Sequence, residues 1–125
     1  MNIENVKLLH IDTIVNTCKE TKIVAIYDNN IIGSIGLDHI NKRSSCLLRL
    51  FVHQDFRKCG IGSKLVNECC KISKESGCET VGLLLAKNND AESFYNKLDF
   101  SFSYQYDDGD ILMVRYLRDL GSTRT

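Results

Sequence analysis

The residues best suited to chemistry lie in one short stretch, where Arg57, Gly60 and Gly62 form an Arg-x-x-Gly-x-Gly pattern before an apolar helical stripe. The first turn of a helix has unpaired backbone N–H groups and the positive end of the helix dipole. Glycines lack Cβ atoms, so phosphate oxygens can approach the backbone closely, and Lys58 and Lys64 add positive charge. The sequence therefore predicts an anion site that suits a diphosphate.

The pattern has a simpler interpretation as well. Two glycines can serve only to shape a tight turn between a strand and a helix, and short glycine patterns often arise by chance. The stretch has neither the spacing and GK[ST] ending of a Walker loop nor the GxGxxG order of a dinucleotide fingerprint. On these residues alone, a phosphate-binding loop and a plain turn both stay open.

The elements next to the loop are read from apolar periodicity. Residues 46–52 are apolar except for Arg49, which predicts a strand buried on both faces. A helical stripe starts at Ile61, and Gly77 is a suitable stop. Residues 78–85 return to a strand pattern. A second helix is expected after Asp90, which is placed to cap it, with an apolar side made by Ala91, Phe94, Tyr95 and Leu98.

The remaining segments predict further strands and one short helix. Residues 2–9 have a weak strand pattern, and Asp12 is placed to cap a short helix that runs to about Lys19 with Ile11, Ile14, Val15 and Cys18 on its inner face. Residues 22–27 and 31–37 predict an antiparallel hairpin. Residues 100–106 and 111–117 predict two strands across a turn, and 118–125 a frayed tail. We expect one α/β domain over residues 1–125.

Composition excludes several classes of protein. Sixteen basic and sixteen acidic residues cancel, so bulk charge does not favour a nucleic-acid partner. No segment is apolar enough to suggest a membrane span, and residues 1–5 do not resemble a secretory signal. The six cysteines lack CxxC spacing, so no metal site is expected. Without a signal they favour a reduced, cytoplasmic protein.

Two motifs together resemble the GCN5-related N-acetyltransferase (GNAT) superfamily. Residues 50–65 resemble its acyl-CoA-binding motif, a Q/R-x-x-G-x-G/A loop after a central strand. A second signature follows as Asn88-x-x-Ala91-x-x-Phe94-Tyr95-x-Lys97-Leu98-x-Phe100. The resemblance is clear over residues 46–106 and extends plausibly from 22 to 117. It implies a mixed, mostly antiparallel sheet flanked by helices.

The resemblance implies acetyl-CoA as cofactor and assigns residues to it. The main chain of Leu50, Phe51 and Val52 would bond the pantetheine arm. The N–H groups from Lys58 through Cys59, Gly60, Ile61 and Gly62 to Ser63 would hold the pyrophosphate. Arg57 would contact phosphate or brace the loop. Asn88 would bond the cofactor arm.

The resemblance also implies the chemistry, which is direct attack of an amine on the thioester. Tyr95 would lie near the thioester sulfur, where a phenol can donate a proton to the departing thiolate. Asp38 and His39, just after the strand 31–37, are the nearest candidates for a base. Cys59 has no histidine placed to activate it, which disfavours an acyl-enzyme route.

The sequence departs from the family pattern at three points. Gln54 replaces a usual proline, and Asp99 replaces a glycine, which is tolerable if that turn is left-handed. The N-terminal helical region is shortened, so the acceptor site is expected to be open. The acceptor is a small amine or a protein or peptide amine, and the chain a monomer or homodimer. The alternatives are a non-catalytic CoA-binding or protein-interaction module, and a plain nucleotide-phosphate binder.

Overall fold

A computed structural model describes residues 2–117, which build a seven-stranded sheet and two α-helices. The strands are β1 (Lys7–Val15), β2 (Cys18–Tyr27), β3 (Asn30–His39), β4 (Ser44–Val52), β5 (Thr80–Leu85), β6 (Ser101–Gln105) and β7 (Ile111–Tyr116). The helices are α1 (Ile61–Glu75) and α2 (Glu92–Asn96), with single 3-10 turns at Ile3–Asn5 and Gln54–Phe56. The predicted frayed tail lies outside the described residues.

The sheet has the order β1-β2-β3-β4-β5-β7-β6. Neighbouring strands are antiparallel except for β4 and β5, which are parallel and are connected through the loop and α1. This confirms the prediction of a mixed, mostly antiparallel sheet flanked by helices. A parallel pair needs a crossover connection, so the chain must leave the end of β4, pass over one face and return to the start of β5.

The main core lies between α1 and one face of this sheet. Leu65, Val66 and Cys69 of α1 are fully buried, as are Ile23 of β2 and Val81 of β5. Burying each large aliphatic side chain stabilises the fold by about 1.5–3 kcal/mol. The covering of β2 to β5 by α1 therefore fixes the position of the helix and of the loop before it.

The other face of the sheet, here called the open face, carries the side chains that point away from α1. His10 of β1 reaches Glu68 of α1, with 2.9 Å between Nε2 and Oε2. Because side chains alternate along a strand, Leu9 and Ile11 must point the other way. They are 50% and 42% exposed, respectively. The open face is thus much less covered than the face under α1.

The predicted helix from Asp12 to Lys19 is wrong. This segment is the end of β1 and the start of β2, joined by a two-residue turn at Asn16 and Thr17, whose φ angles are +51° and +68°. The apolar spacing fits a helix, but Ile11, Thr13 and Ile14 are β-branched and favour a strand. The N-terminal region is therefore a hairpin and not a shortened helical region.

The remaining elements follow the sequence prediction with small corrections. The hairpin of β2 and β3 is confirmed, and so are α1, β5, β6 and β7, while the first strand starts at Lys7 and not at residue 2. Asp90 does not cap the second helix. Helix α2 has no side-chain cap, and the Asn89 Oδ1 accepts from the Ala91 N–H at 2.8 Å in the turn before it. Asp99 has a φ of +70°, which is the left-handed turn that its replacement of glycine requires.

Candidate active site

The candidate site starts where β4 and β5 separate. The two strands pair only from Ser44 to Cys46 and from Thr80 to Gly82. Beyond these residues a cavity of about 210 Å³ lies between them, which we call the splay cavity. It is lined by residues 47–50 of β4, by residues 83–85 of β5, and by Asn89 and Tyr95. The edge of β4 that faces this cavity has no strand partner, so its backbone is available to an elongated ligand.

A bulge in β4 shapes one wall of this cavity. Arg49 has a φ of +52°, and the pairing of β4 with β3 shifts register between Ser34 and Gly36. Bulges bend a strand and redirect its side chains. Arg49 and Phe51 are exposed, so the prediction that residues 46–52 are buried on both faces is wrong for this second half. The physical reason is that both side chains lie on the open face, away from α1.

The loop after β4 forms a concave array of backbone donors. Lys58 and Gly60 have φ angles of +63° and +89°, which turns successive N–H groups toward one side. The N–H groups of residues 58–63 have no hydrogen-bond partner within residues 2–117. Helix α1 starts at Ile61 without a side-chain cap, so its positive end faces the same space. The donors, the dipole and the nearby Lys58 all suit a diphosphate.

A larger cavity of about 720 Å³, the loop cleft, lies along this array. Its walls are residues 50–52, Phe56, Arg57, Lys58, Gly60, Gly62, Ser63, Asn89 and Phe94. A Cβ atom on Gly62 would lie 3.2 Å from Cζ of Phe94, so a larger residue here would crowd Phe94 and narrow the cleft. Leu50 and Asn89 line both the loop cleft and the splay cavity, so the two spaces are adjacent, and we call them together the channel.

The remaining loop residues have different positions. Arg57 donates from Nε to the Val52 carbonyl at 3.0 Å, so it braces the loop while lining the cleft. Cys59 is exposed and does not line the cleft, and its Sγ donates to the Arg57 carbonyl. The Ile61 side chain is buried in the core, which leaves only its N–H for a ligand.

Tyr95 lies at the base of the splay cavity. Its ring is buried and packs edge-to-face on Phe94 and Phe100, with centroids 4.9 Å and 5.8 Å away. Burial raises the pKa of the Tyr95 hydroxyl, and the nearby Cys69 adds to this. The hydroxyl therefore stays protonated near neutral pH, as a proton donor must.

The sequence assigns Asn88 to the cofactor arm, but the asparagine that lines the two cavities is Asn89. Asn88 is exposed and lines neither cavity, whereas Asn89 lines both and also accepts from the Ala91 N–H in the turn before α2. The family motif has its asparagine three residues before the alanine, which is the spacing of Asn88 from Ala91. The signal for Asn89 is its position two residues before Ala91, since an Asn side chain can accept from the N–H two residues on.

Asp38 and His39 are not brought to the channel, because neither lines it. Asp38 lies opposite Cys46 in the β3–β4 ladder. The His39 Nε2 lies 3.0 Å from the Thr21 Oγ1, which itself donates to Asp12 at 2.7 Å. Burial lowers the pKa of His39. These two residues belong to a polar cluster near the β1–β2 hairpin.

Two other kinds of feature are absent from residues 2–117. Among residues 2–117, no group of three His, Cys, Asp or Glu side chains is arranged to hold a metal ion. Within the same part of the chain, no helix is long and apolar enough to cross a membrane.

Comparison with known proteins connects this geometry to a family. The profile of the acetyltransferase (GNAT) domain matches residues 19–102, while no curated protein sequence matches. The PaiA N-acetyltransferase from Thermoplasma acidophilum, solved with coenzyme A, is 30% identical with a TM-score of 0.71. The match covers 78% of this chain and 60% of that one, so this chain spans less than two thirds of its relative.

Two more distant structures share the fold. Ard1 from Thermoplasma volcanium has 24% identity and a TM-score of 0.70, with 78% of this chain and 71% of that chain covered. A GNAT acetyltransferase from Elizabethkingia anophelis, with acetyl-CoA bound, has 15% identity and a TM-score of 0.76, with 91% and 99% covered. The profile covers more than half of the sequence, and it includes the loop and the splayed strands. The chain belongs to the GNAT acetyltransferase family.

Proposed function

We propose that this domain transfers an acetyl group from acetyl-CoA to a primary amine by direct attack on the thioester. The observation that carries the proposal is the channel of two adjacent cavities, in which an array of free N–H groups is followed by Leu50 and Asn89 and then by a buried tyrosine. A diphosphate, an extended arm and a thioester require these three environments in this order.

The binding half of the proposal uses mainly backbone groups. The N–H groups of residues 58–63 would hold the pyrophosphate, and Lys58 would add charge. The main chain of residues 50–52 would bond the pantetheine arm. Asn89 lines the channel where Asn88 does not, so we propose Asn89 as the side chain that bonds the arm.

The chemical half of the proposal concerns two proton movements. An alkylammonium has a pKa of about 10.4, so its deprotonation at pH 7 costs about 4–5 kcal/mol. The freed nitrogen lone pair attacks the acetyl carbon, a C–N bond forms and the C–S bond breaks. Tyr95 donates a proton toward the departing sulfur, which its raised pKa permits. The nitrogen loses its second proton, which restores the phenol through water.

The residues of the channel favour direct transfer over an acyl-enzyme. Cys59 is exposed outside the channel, and burial raises the pKa of Cys69 well above its usual value. A thiol without thiolate character is a poor nucleophile. Asp38 and His39 line neither cavity, so we propose that the ammonium proton leaves through solvent.

We also propose a cellular compartment, an acceptor class and an oligomeric state for the domain. All six cysteines are free, which supports a reducing compartment and a cytoplasmic location. The acceptor is a small amine or a protein or peptide amine, and the domain acts as a monomer or homodimer.

The test is an acceptor screen with acetyl-CoA. Thiol release is followed with a thiol-trapping reagent, and the acceptor is checked for an added acetyl group by mass. We expect equal amounts of thiol and acetylated amine, and a strong decrease in the Tyr95→Phe variant. Thiol release without acetylated amine in every case would contradict transfer to an amine.

A second candidate is a CoA-binding module without catalysis. The observation in its favour is that the splay cavity has no acidic or histidine lining residue within residues 2–117. Tight acetyl-CoA binding by calorimetry, with no acetylated product from any amine, would establish the module. Binding of ATP as tight as that of CoA would favour a general phosphate binder over both.

A further inference from the structure

A third cavity lies on the open face, next to the channel. It has a volume of about 220 Å³ and is lined by Glu20 and Lys22 of β2, by Ser34, Ile35 and Gly36 of β3, and by Arg49 and Phe51 of β4. We call it the Glu20 pocket. Arg49 also lines the splay cavity, and Phe51 also lines the loop cleft. The pocket therefore meets the channel at the bulge of β4.

The carboxylate of Glu20 is held in this pocket by shape and by charge. Its Oε1 accepts from Nη2 of Arg49 at 2.7 Å. A Cβ atom on Gly36 would lie 3.1 Å from the same oxygen, so the missing side chain of Gly36 makes room for the carboxylate against the sheet. Glu20 is thus a charged group that the pocket positions.

The partner of that carboxylate is easily displaced. The Arg49 side chain is 71% exposed and that of Glu20 is 34% exposed. An ion pair this accessible to water is worth at most about 1 kcal/mol. A second cation can therefore replace the guanidinium at little cost. Arg49 has room to turn away, because its side chain is mostly exposed and the residue also lines the splay cavity.

We propose that the Glu20 pocket binds the acceptor amine, and that the Glu20 carboxylate takes the ammonium group of an unbranched aliphatic amine in place of Arg49. This inference rests on the proposed acetyl transfer. Glu20 contacts the acceptor directly in it, binding and orienting the nitrogen that reacts, and it does not touch the thioester. Over the reaction, the ammonium loses two protons, one to solvent and one to the coenzyme A thiol.

Size and charge of the pocket define the class of acceptor. A volume of about 220 Å³ is below the roughly 300–1,000 Å³ of sites for drug-sized ligands, so one unbranched arm fits and a multi-ring amine does not. The half-exposed ring of Phe51 can cover methylene groups of that arm. Lys22 and the displaced Arg49 stay close, so a second cation on the acceptor is disfavoured and a neutral or anionic end is accepted.

The experiment measures steady-state kinetics with four acceptors at saturating acetyl-CoA. These are pentylamine, δ-aminovalerate, cadaverine and a peptide with a single lysine. We expect KM for cadaverine to exceed that for pentylamine and δ-aminovalerate. Preference for the peptide over all three would identify a lysine side chain as the source of the amine, and preference for the free amines a small molecule.

Variants separate acceptor binding from the rest of the site. Glu20→Gln is expected to raise KM for pentylamine by up to about fivefold, because the ammonium would form with Glu20 the same kind of water-accessible ion pair that Arg49 forms. Gly36→Ala is expected to raise it as well, by displacing the carboxylate. Arg49→Met should lower KM for pentylamine and raise it for δ-aminovalerate. The affinity for acetyl-CoA should not change in Glu20→Gln, since Glu20 lines neither the splay cavity nor the loop cleft, and Glu75→Gln, on an exposed carboxylate of α1, is the matched control.

Amide chemical shifts keep this test independent of turnover. Pentylamine added to the CoA-loaded protein should shift the Gly36 amide, and Glu20→Gln should abolish that shift. If the amine binds in this way but no acetyl group is transferred, the proposed function fails and the pocket assignment stands. If transfer occurs and Glu20→Gln changes neither KM nor the Gly36 shift, the Glu20 pocket is not the acceptor site.

Discussion

The two halves of this sheet are built by different means. In the half from β4 to α2, a bulge, a loop with two left-handed residues and a splayed pair of strands create one channel. In the half from β1 to β3, two tight hairpins align long antiparallel strands. The first half has many unpartnered backbone groups at its centre, while in the second the strands pair along nearly their whole length, with one register shift between Ala25 and Ile26. In our proposal the irregular half carries the cofactor chemistry, and the other half, which we call the regular half, supplies the surface next to it.

The largest effect is expected at the irregular end, from Tyr95→Phe. Removal of the hydroxyl leaves the packing on Phe94 and Phe100 in place but removes the proton donor. We expect kcat to fall about 100-fold while the affinity for acetyl-CoA is unchanged, within the usual range for general acid catalysis. Tyr27→Phe, at a half-buried ring that packs on Phe56 in the regular half, is the control. An unchanged kcat would remove Tyr95 from the mechanism.

A substitution at Gly62 tests binding in the same half. The side chain in Gly62→Val would meet Phe94 and narrow the loop cleft. The Kd for acetyl-CoA should rise about 30-fold, because charge-assisted bonds to the phosphates contribute about 2 kcal/mol. Lys71→Val places the same side chain at an exposed position of α1 and should leave the Kd unchanged, as measured by calorimetry. Equal affinities in the two variants would show that the cofactor does not pass Gly62.

More of the structure could be predicted from the sequence in the half from β4 to α2 than in the half from β1 to β3. The loop and the second signature place glycines, aromatic residues and a tyrosine at fixed spacings, so α1, β5 and the loop of backbone donors before α1 could be predicted. Such motifs do not exist around Asp12, where the spacing of Ile11, Ile14 and Cys18 fits both a helix and the observed hairpin. Which face of the sheet stays open, away from α1, is a tertiary feature, so neither the exposure of Arg49 nor the Glu20 pocket was readable from the sequence.

The hairpin between β1 and β2 can be tested with Thr17→Gly. Thr17 has a φ of +68°, which is unfavourable for a β-branched residue, and an Asn-Gly pair is preferred in such turns. We expect the free energy of unfolding to rise by roughly 0.5–1 kcal/mol, as relief of left-handed strain outweighs the added chain entropy. Urea denaturation measures it. In a helix over residues 12–19 the same change would cost roughly 0.3 kcal/mol, since Thr is already a poor helix former, so a destabilised variant would contradict the hairpin.

The smallest effect is a pH dependence of stability in the regular half. Burial lowers the pKa of His39, with Lys19 acting in the same direction and Asp12 and Asp38 opposing it. The folded state thus binds a proton at His39 less readily than the unfolded state. Stability should therefore decrease as pH falls below about 6.5 toward the folded pKa.

In His39→Gln the loss of stability that comes from protonation of His39 should be absent. The loss that comes from Asp12 should remain, at more acidic pH, because the bond from Thr21 is the main cause of the lowered pKa of Asp12. Unfolding free energies between pH 5 and 8 measure the difference, over roughly the range where histidines titrate. Parallel curves for the wild type and the variant would show that His39 does not contribute.

The most direct test of the division between the halves is a titration of the labelled protein with acetyl-CoA, followed by amide chemical shifts. The largest shifts should occur at residues 58–63, where the N–H groups are free, and next at residues 50–52. The amides of the β1–β2 hairpin should change little. Shifts concentrated in β1 and β2, with residues 58–63 unaffected, would contradict the assignment of the loop and splayed strands as the acetyl-CoA site.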